Sequence, residues 1–351
     1  MIESRKSSLK ISYLHGCKEN YSKLLAKELV LNNILVEESG KDWAFSKISA
    51  ETQAGLNSCW ATQTLIAPIE VSAQSVNAQS QKLIDLFAAQ IKDQDIKDIF
   101  FIDVFATEEK EGLHKRAKAV LKLFQEKLSK RFFRISKLVR KPVVISPSLT
   151  EGLFIYWTDF NRMYVSSKIL WGGQHRVADD PKSPSRSFLK VEEAYGIFGR
   201  RPKPGELVID LGASPGGWTY SAIKNGVRVW AVDRGPMKGV CCNHPLIQHI
   251  EEDAFKFNMA AGKSSDWLFC DLVENPYRVL EILKTWIIQN RCRNFIVNLK
   301  IGQIDQLMFV ERMHKEFNAL SQLCSHFLSR QLYHDRDEIT IMGNVKSTKN
   351  N

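Results

Sequence analysis

The sequence predicts an α/β protein in two parts: a carboxyl-terminal domain built on a mainly parallel sheet that ends in an antiparallel hairpin, and an α+β region before it. Three observations predict this. Short apolar runs alternate with helical stretches beyond residue 187, a polar segment punctuated by prolines precedes them, and the first of those runs enters a glycine-rich turn. The composition agrees. With 351 residues, 44% hydrophobic and 25% charged, the chain is ordinary globular material of a length that suits two domains. These figures exclude a disordered, collagenous or disulfide-stapled protein. The seven cysteines are odd in number and never stand in C-x-x-C spacing, so free thiols are expected. Met1 to Lys6 lacks the apolar core of a leader, and no apolar run approaches the ~20 residues that span a bilayer, so the expectation is a soluble cytoplasmic protein without a membrane partner.

In the first part, residues 1–165, charge is the informative feature. The chain carries 49 Lys and Arg against 39 Asp and Glu, and between Lys110 and Lys141 there are twelve basic residues and two acids, Glu111 and Glu126. That one segment supplies the whole excess of +10, a footprint suited to a phosphate backbone. Within it Leu113, Ala117, Val120, Leu121, Phe124 and Leu128 recur at helical spacing, which places one face on a core and leaves Lys115, Arg116, Lys118, Lys122 and Lys127 largely elsewhere. A solvated basic helix without a ligand has the same pattern, and charge alone does not separate RNA from DNA or an anionic membrane. Lys141 to Pro147 reads as a strand between prolines, 153–157 and 163–165 as further strands, and the Gln- and Ser-rich stretch 73–81 as a loop. Residues 166–186 are expected to form the linker, with Asp179-Asp180-Pro181-Lys182-Ser183-Pro184-Ser185 at its centre.

Residues 187–351 alternate. A helix is expected from Phe188 to Ile197, strands at 206–211, 227–232, 248–252, 267–272 and 294–299, helices at 217–224, 276–290 and 304–320, and a closing pair of strands at 326–334 and 338–345. In such a sheet ligands lie outside the carboxyl ends of the parallel strands. There the sequence places Asp210-Leu211-Gly212-Ala213-Ser214-Pro215-Gly216-Gly217-Trp218, whose glycines allow backbone to approach a ligand closely. Its G-x-x-x-G-G spacing is not the G-x-G-x-x-G dinucleotide fingerprint. Asp233, 23 residues after Asp210, ends the second strand and is placed to accept ribose hydroxyls, although an isolated aspartate there is commonly a turn former. Asp271 closes the fourth strand and Lys300 the fifth, while Glu338 opens the antiparallel last strand and so reaches the same edge. Lys190, on the helix before the first strand, is a fourth candidate, with an exposed lysine as the bland alternative. Trp218 and Trp267 read as packing residues. His334 reads as packed or solvent-facing, and no metal site is expected from the eight scattered histidines.

At this point the sequence resembles a family. Asp210 to Trp218 is similar to the S-adenosylmethionine loop of ribose methyltransferases of the ribosomal-RNA type, and Lys190, Asp271, Lys300 and Glu338 fall in the order of their Lys-Asp-Lys-Glu tetrad. The likeness is closer to the bacterial large-subunit (23S) ribosomal RNA cytidine 2′-O-methyltransferases. It is carried by Ser183 to Ala194, Val232 to Met237, Glu252 to Phe257, Asn298-Leu299-Lys300 and Arg330 to Glu338, over residues 183 to about 340. Ser214, where cysteine is frequent, and Ile301-Gly302 after the second lysine depart from the pattern.

The resemblance implies a Rossmann-like fold, S-adenosylmethionine as cofactor, and 2′-O-methylation of a cytidine in large-subunit ribosomal RNA or its precursor. It implies Lys300 as general base, with Lys190, Asp271 and Glu338 orienting, and donor contacts at Ser187, Ser214, Pro215, Gly216, Gly217, Asp233, Asp253 and Asp271. Asp233 would face the ribose and Asp253 the adenine; a strand-end cap is the alternative for Asp253. The first part is more weakly similar to a THUMP-type RNA-binding module. Since a tetrad that deprotonates a 2′-hydroxyl has no acceptor in DNA, RNA is the expected partner. Two other readings stand beside it: a non-catalytic RNA-binding or ribosome-assembly factor that keeps the cofactor fold, and an NAD(P)-dependent oxidoreductase, which the missing fingerprint disfavours.

Overall fold

The computed structural model describes residues 10–49, 58–93, 95–260 and 262–346, which divide into two compact units between Gly172 and Gly173. The amino-terminal stretch Met1 to Lys6 lies outside the described residues. In the first unit the elements are β1 (Lys10–Cys17), α1 (Ser22–Leu31), β2 (Leu35–Ser39), β3 (Trp43–Ser49), β4 (Ala61–Ile66), β5 (Ile69–Ser72), α2 (Val76–Ile91), β6 (Phe100–Ala106), α3 (Leu113–Arg131), α4 (Phe133–Ser136), β7 (Val139–Arg140), β8 (Ser148–Asp159) and β9 (Arg162–Trp171). Among the described residues the strands form one mixed sheet ordered β2-β3-β1-β4-β9-β8-β6-β7, with β5 also on β9. The helical periodicity of the basic segment is realised in α3, where Leu113, Ala117, Val120, Phe124 and Leu128 are buried. They pack on the sheet with Leu83, Ile84 and Phe87 of α2, each Leu, Ile, Val and Phe side chain contributing roughly 1.5–3 kcal/mol by leaving water.

Three expectations for this unit are corrected. The Gln- and Ser-rich stretch is not a loop from end to end: Ser75 accepts from Ala78 N at 3.1 Å and caps α2, and Gln79 and Ser80 are buried in its first turns. Polar composition there reflects capping and buried hydrogen bonds, Gln79 donating to Ala73 O and Phe160 O. Lys141 to Pro147 is not a strand. Pairing stops after Val139–Arg140, because Pro142 and Pro147 have no N–H to donate, and Val143 is left 90% exposed. Third, β9 continues to Trp171, so the stretch 166–171 is strand rather than linker.

The second unit holds α5 (Phe188–Phe198), β10 (Leu207–Leu211), α6 (Gly217–Lys224), β11 (Arg228–Val232), β12 (Ile247–Ile250), β13 (Ser265–Cys270), α7 (Pro276–Ile288), β14 (Cys292–Lys300), α8 (Gln306–Leu323), β15 (Cys324–Arg330) and β16 (Glu338–Val345). It is α/β, with the sheet order β12-β11-β10-β13-β14-β16-β15. The first five strands of that order are parallel, and β16 and β15 add the antiparallel hairpin. Val208, Val229, Trp267, Phe269, Ile296 and Met342 lie in the core on one side of the sheet with Trp218 and the apolar face of α5. Strands covered on both faces explain their near-continuous apolar runs. The last hairpin differs from expectation: β15 ends at Arg330, and 331–337 is a turn, since Asp335 within it is buried and accepts from Leu332 N rather than pointing to water. Among the described residues no helix is long and apolar enough to cross a membrane.

Candidate active site

The chain runs outward from β10 through β11 to β12, then returns to the other side of β10 to form β13 and β14. Strand order therefore reverses between β10 and β13, and the crevice at a switch point of this kind is where an open parallel sheet receives a ligand. The glycine-rich turn, Asp233 and Asp271 all follow the carboxyl ends of β10, β11 and β13.

Four charged side chains meet at that edge. Lys300 ends β14 and stands opposite Glu338, which begins β16, in the antiparallel register. Lys300 Nζ donates to Asp271 Oδ1 at 2.6 Å and lies 3.8 Å from Glu338 Oε2. Lys190, from the first turn of α5, pairs with Glu338 and lies 3.7 Å from Asp271 Oδ1. Lysines and carboxylates thus alternate around the cluster, and all four side chains are 13–21% exposed. Burial alone would lower the Lys190 pKa, but Asp271, Asp335 and Glu338 raise it above the ordinary lysine value.

A second group surrounds the turn. Gly216 has φ +118°, a backbone region that glycine adopts without strain, and a Cβ there would come within 2.9 Å of Cys241 Sγ. A Cβ on Gly217 would stand 2.2 Å from Ser187 Oγ and 2.4 Å from Ser185 Oγ, so these two hydroxyls lie against the backbone of the turn. Asp233 accepts from Ser214 N at 3.0 Å and Gly235 N at 2.7 Å, one on each oxygen, which fixes its carboxylate against the turn. Ser214 Oγ donates to Pro236 O, and Pro215 O accepts from Lys238 N, so the two loops close on each other. Asp253 accepts from Phe255 N and from Arg234 at 2.9 Å, the capping role that its position also allowed. Asp210, beneath the turn, accepts from Thr219 at 2.6 Å while its Oδ1 is buried without a partner, and burial pushes its pKa up to about 7. Ser187 thus meets the turn at Gly217, Asp233 is tied to Ser214 and Gly235, and Asp253 to Arg234, while Lys190, Asp271, Lys300 and Glu338 form one charged cluster.

Sequence reasoning missed the residues that hold these groups. Asn298, buried two positions before Lys300 and so on the same strand face, accepts from Lys300 Nζ at 3.3 Å and donates at 3.0 Å to both Asp335 Oδ1 and Thr340 Oγ1. Glu193, one turn after Lys190, is buried and accepts from Tyr333 N at 2.7 Å, His334 N at 3.0 Å and His175 N at 3.2 Å. Desolvation pushes its pKa up to about 8. The i, i+2 spacing of Asn298 and Lys300 was the available signal for the first; the helical spacing of Lys190 and Glu193 was the signal for the second.

Comparison with known proteins places this geometry. Residues 184–320 match the model of the FtsJ-like methyltransferases. The chain is 37% identical over 210 residues to the ribosomal RNA large subunit methyltransferase M of Laribacter hongkongensis, covering 54% of this chain and 57% of that protein. It is 39% identical over 177 residues to the protein of the same name from Haemophilus ducreyi, covering 48% and 49%, and 36% identical over 180 residues to that of Idiomarina loihiensis, covering 48% of each. The matched stretch spans about half the length of these relatives. The resemblance read from the sequence is met by relatives that bear this name.

Proposed function

We propose that this protein transfers a methyl group from S-adenosylmethionine to a ribose 2′-hydroxyl of large-subunit ribosomal RNA, most specifically of a cytidine. The observation that carries the reading is the convergence of Lys190, Asp271, Lys300 and Glu338 at the switch point, beside a glycine turn flanked by acceptors. The names of the relatives support the ribosomal substrate. The residues present fit the cofactor: the acceptors Asp233, Asp253 and Asp271 suit ribose hydroxyls, amino groups and a cation, and Gly216 and Gly217 let the turn backbone pack closely against Cys241, Ser185 and Ser187. When bound, S-adenosylmethionine supplies a methyl group carried on a cationic sulfur.

The chain's part is to align the acceptor and manage one proton. Asp271, Asp335 and Glu338 hold Lys190 in its charged form, and the reading gives Lys300 the 2′-hydroxyl proton. Asp271 and Asn298 fix Lys300 Nζ, and Glu338 holds Lys190 while facing the same hydroxyl. Capture of RNA falls to the first unit, where Lys115, Lys118 and Lys122 are exposed along α3. The reading places the protein in the cytoplasm, with RNA rather than DNA or membrane as its partner.

Ligand-dependent thermal unfolding tests the reading at its base. S-adenosylhomocysteine raises the melting temperature and NAD(P) does not; protection by NAD(P) alone would replace the reading with an oxidoreductase.

A further inference from the structure

The pairing that ends at Val139–Arg140 leaves a gap at the edge of the first unit's sheet. β7 covers only Phe100 and Phe101 of β6, and among the described residues no strand continues along the outer edge from Ile102 to Ala106. A cavity of about 480 Å3 lies there, between that edge and α3, large enough for one nucleotide. His114, Lys118, Leu121 and Gln125 form its helical wall, a stripe of α3 beside the buried one of Ala117, Val120 and Phe124.

The charges in the cavity do not cancel. Its acid, Asp103, is 6% exposed, pairs with Lys141 Nζ at 3.2 Å and accepts from Val104 N at 2.9 Å. His114 is paired with Glu108 at 3.0 Å. Arg140 is pinned through Nη1, which donates to Lys137 O at 2.9 Å and Val139 O at 2.7 Å; neutral carbonyls leave its charge standing. The side chains of Lys118 and Gln125 have no hydrogen-bond or ion-pair partner among the described residues. Lys118 and Arg140 are thus two cations without a counter-ion, Gln125 offers a donor and an acceptor, and Val104 and Leu121 give the wall its apolar surface.

A peptide strand and an unstacked nucleotide both have chemistry for such a place. A strand laid along β6 needs the amide of Val104 for its ladder, and the Asp103 carboxylate already holds that amide. A nucleotide needs no ladder: its phosphate takes the cations, and its base takes an apolar wall with a hydrogen-bonding group beside it. We infer that the cavity receives one unstacked nucleotide of the RNA, with its phosphate on Lys118 and Arg140 and its base against Leu121 and the β6 edge, beside Gln125. This rests on the reading of RNA as substrate, and it adds that the first unit grips a single-stranded segment, since a base stacked and paired inside a duplex does not enter.

The test uses the full chain and fluorescein-labelled RNA of about twelve nucleotides, alone or annealed to its complement, with anisotropy as the readout. The wild type binds the single strand at least about tenfold more tightly than the duplex. Gln125→Glu, which sets a carboxylate beside the bound nucleotide, weakens single-strand binding at least about tenfold. Ser129→Glu adds the same charge one turn further along α3, outside the cavity, and weakens it less than about threefold. Both positions are exposed, and both variants keep the wild-type melting temperature. Equal binding of single strand and duplex, or equal losses in the two variants, would overturn the assignment. So would a short Glu- and Val-rich peptide whose binding Gln125→Glu abolishes while RNA binding persists, which would make the cavity a peptide site. Binding of neither RNA by the wild type would instead overturn the RNA reading, and this inference with it.

Discussion

Glu193 offers the most quantitative consequence of the structure. Its carboxyl is buried and accepts three backbone N–H groups, two of which belong to Tyr333 and His334 in the turn that leads to Glu338. Its pKa rises from an ordinary 4.5 to about 8 in the fold, chiefly through desolvation. Between those values the folded protein holds a proton that the unfolded chain has released, so raising the pH through the window lowers stability, and the loss is complete above pH 8. Each pH unit costs about 1.4 kcal/mol, so moving from pH 6 to pH 9 removes roughly 3 kcal/mol. For a unit of this size that is roughly 6–12 °C in melting temperature. Glu193→Gln isolates the effect. The amide keeps the two contacts at Oε1 but turns an N–H toward His334 N, so the variant starts lower by about 1–3 kcal/mol. Its stability then lacks this component of the pH dependence. Calorimetry from pH 6 to 9 should show the wild type losing roughly 3 kcal/mol relative to Glu193→Gln. Parallel curves would mean that the three N–H groups keep Glu193 ionised, and would refute the argument from desolvation.

Two further perturbations test the support of the site and its RNA. Asn298→Ala removes the link between Lys300, Asp335 and Thr340; it should cost about 2–3 kcal/mol of stability by leaving buried groups unpaired and lower kcat at least about tenfold, with S-adenosylhomocysteine protection kept. An unchanged kcat would detach Asn298 from catalysis. Replacing Lys118 and Lys122 together by alanine should flatten the dependence of log affinity for RNA on log salt by about 1.4–1.8; anisotropy titrations from low to moderate salt measure it, and an unaltered slope would move RNA capture away from α3.

The parts legible in the sequence are those with a local signature. The apolar runs that became β10, β11, β13 and β14 are near-continuous because both faces are covered, and the spacing of Leu113 to Leu128 is that of one helix face. Asp271, Lys300 and Glu338 could be nominated from strand ends alone, since the carboxyl edge of a parallel sheet is a place the topology defines, whereas Lys190 lies on the helix before the first strand. What lacked a local signature was misread or missed. Ser75 and the buried Gln79 made the start of α2 look like a loop, and Val143 to Ile145 looked like a strand although flanking prolines deny it a ladder. Asp335 lies in the turn between two expected strands and carried no signal of burial, yet it is buried among its partners Asn298, Leu332 and Thr340. Such networks join residues 3 to 42 positions apart, and no periodicity announces them.

The central claim is that Lys300 takes the proton from a ribose hydroxyl. Methyl transfer from labelled S-adenosylmethionine to unmodified large-subunit ribosomal RNA, with nucleoside analysis of the product, tests it against Lys300→Met in parallel. The account predicts 2′-O-methylcytidine with the wild type and a loss of at least about a hundredfold in the variant, which still gains thermal protection from S-adenosylhomocysteine. Label on a base, or a Lys300→Met protein that transfers at the wild-type rate, would contradict it.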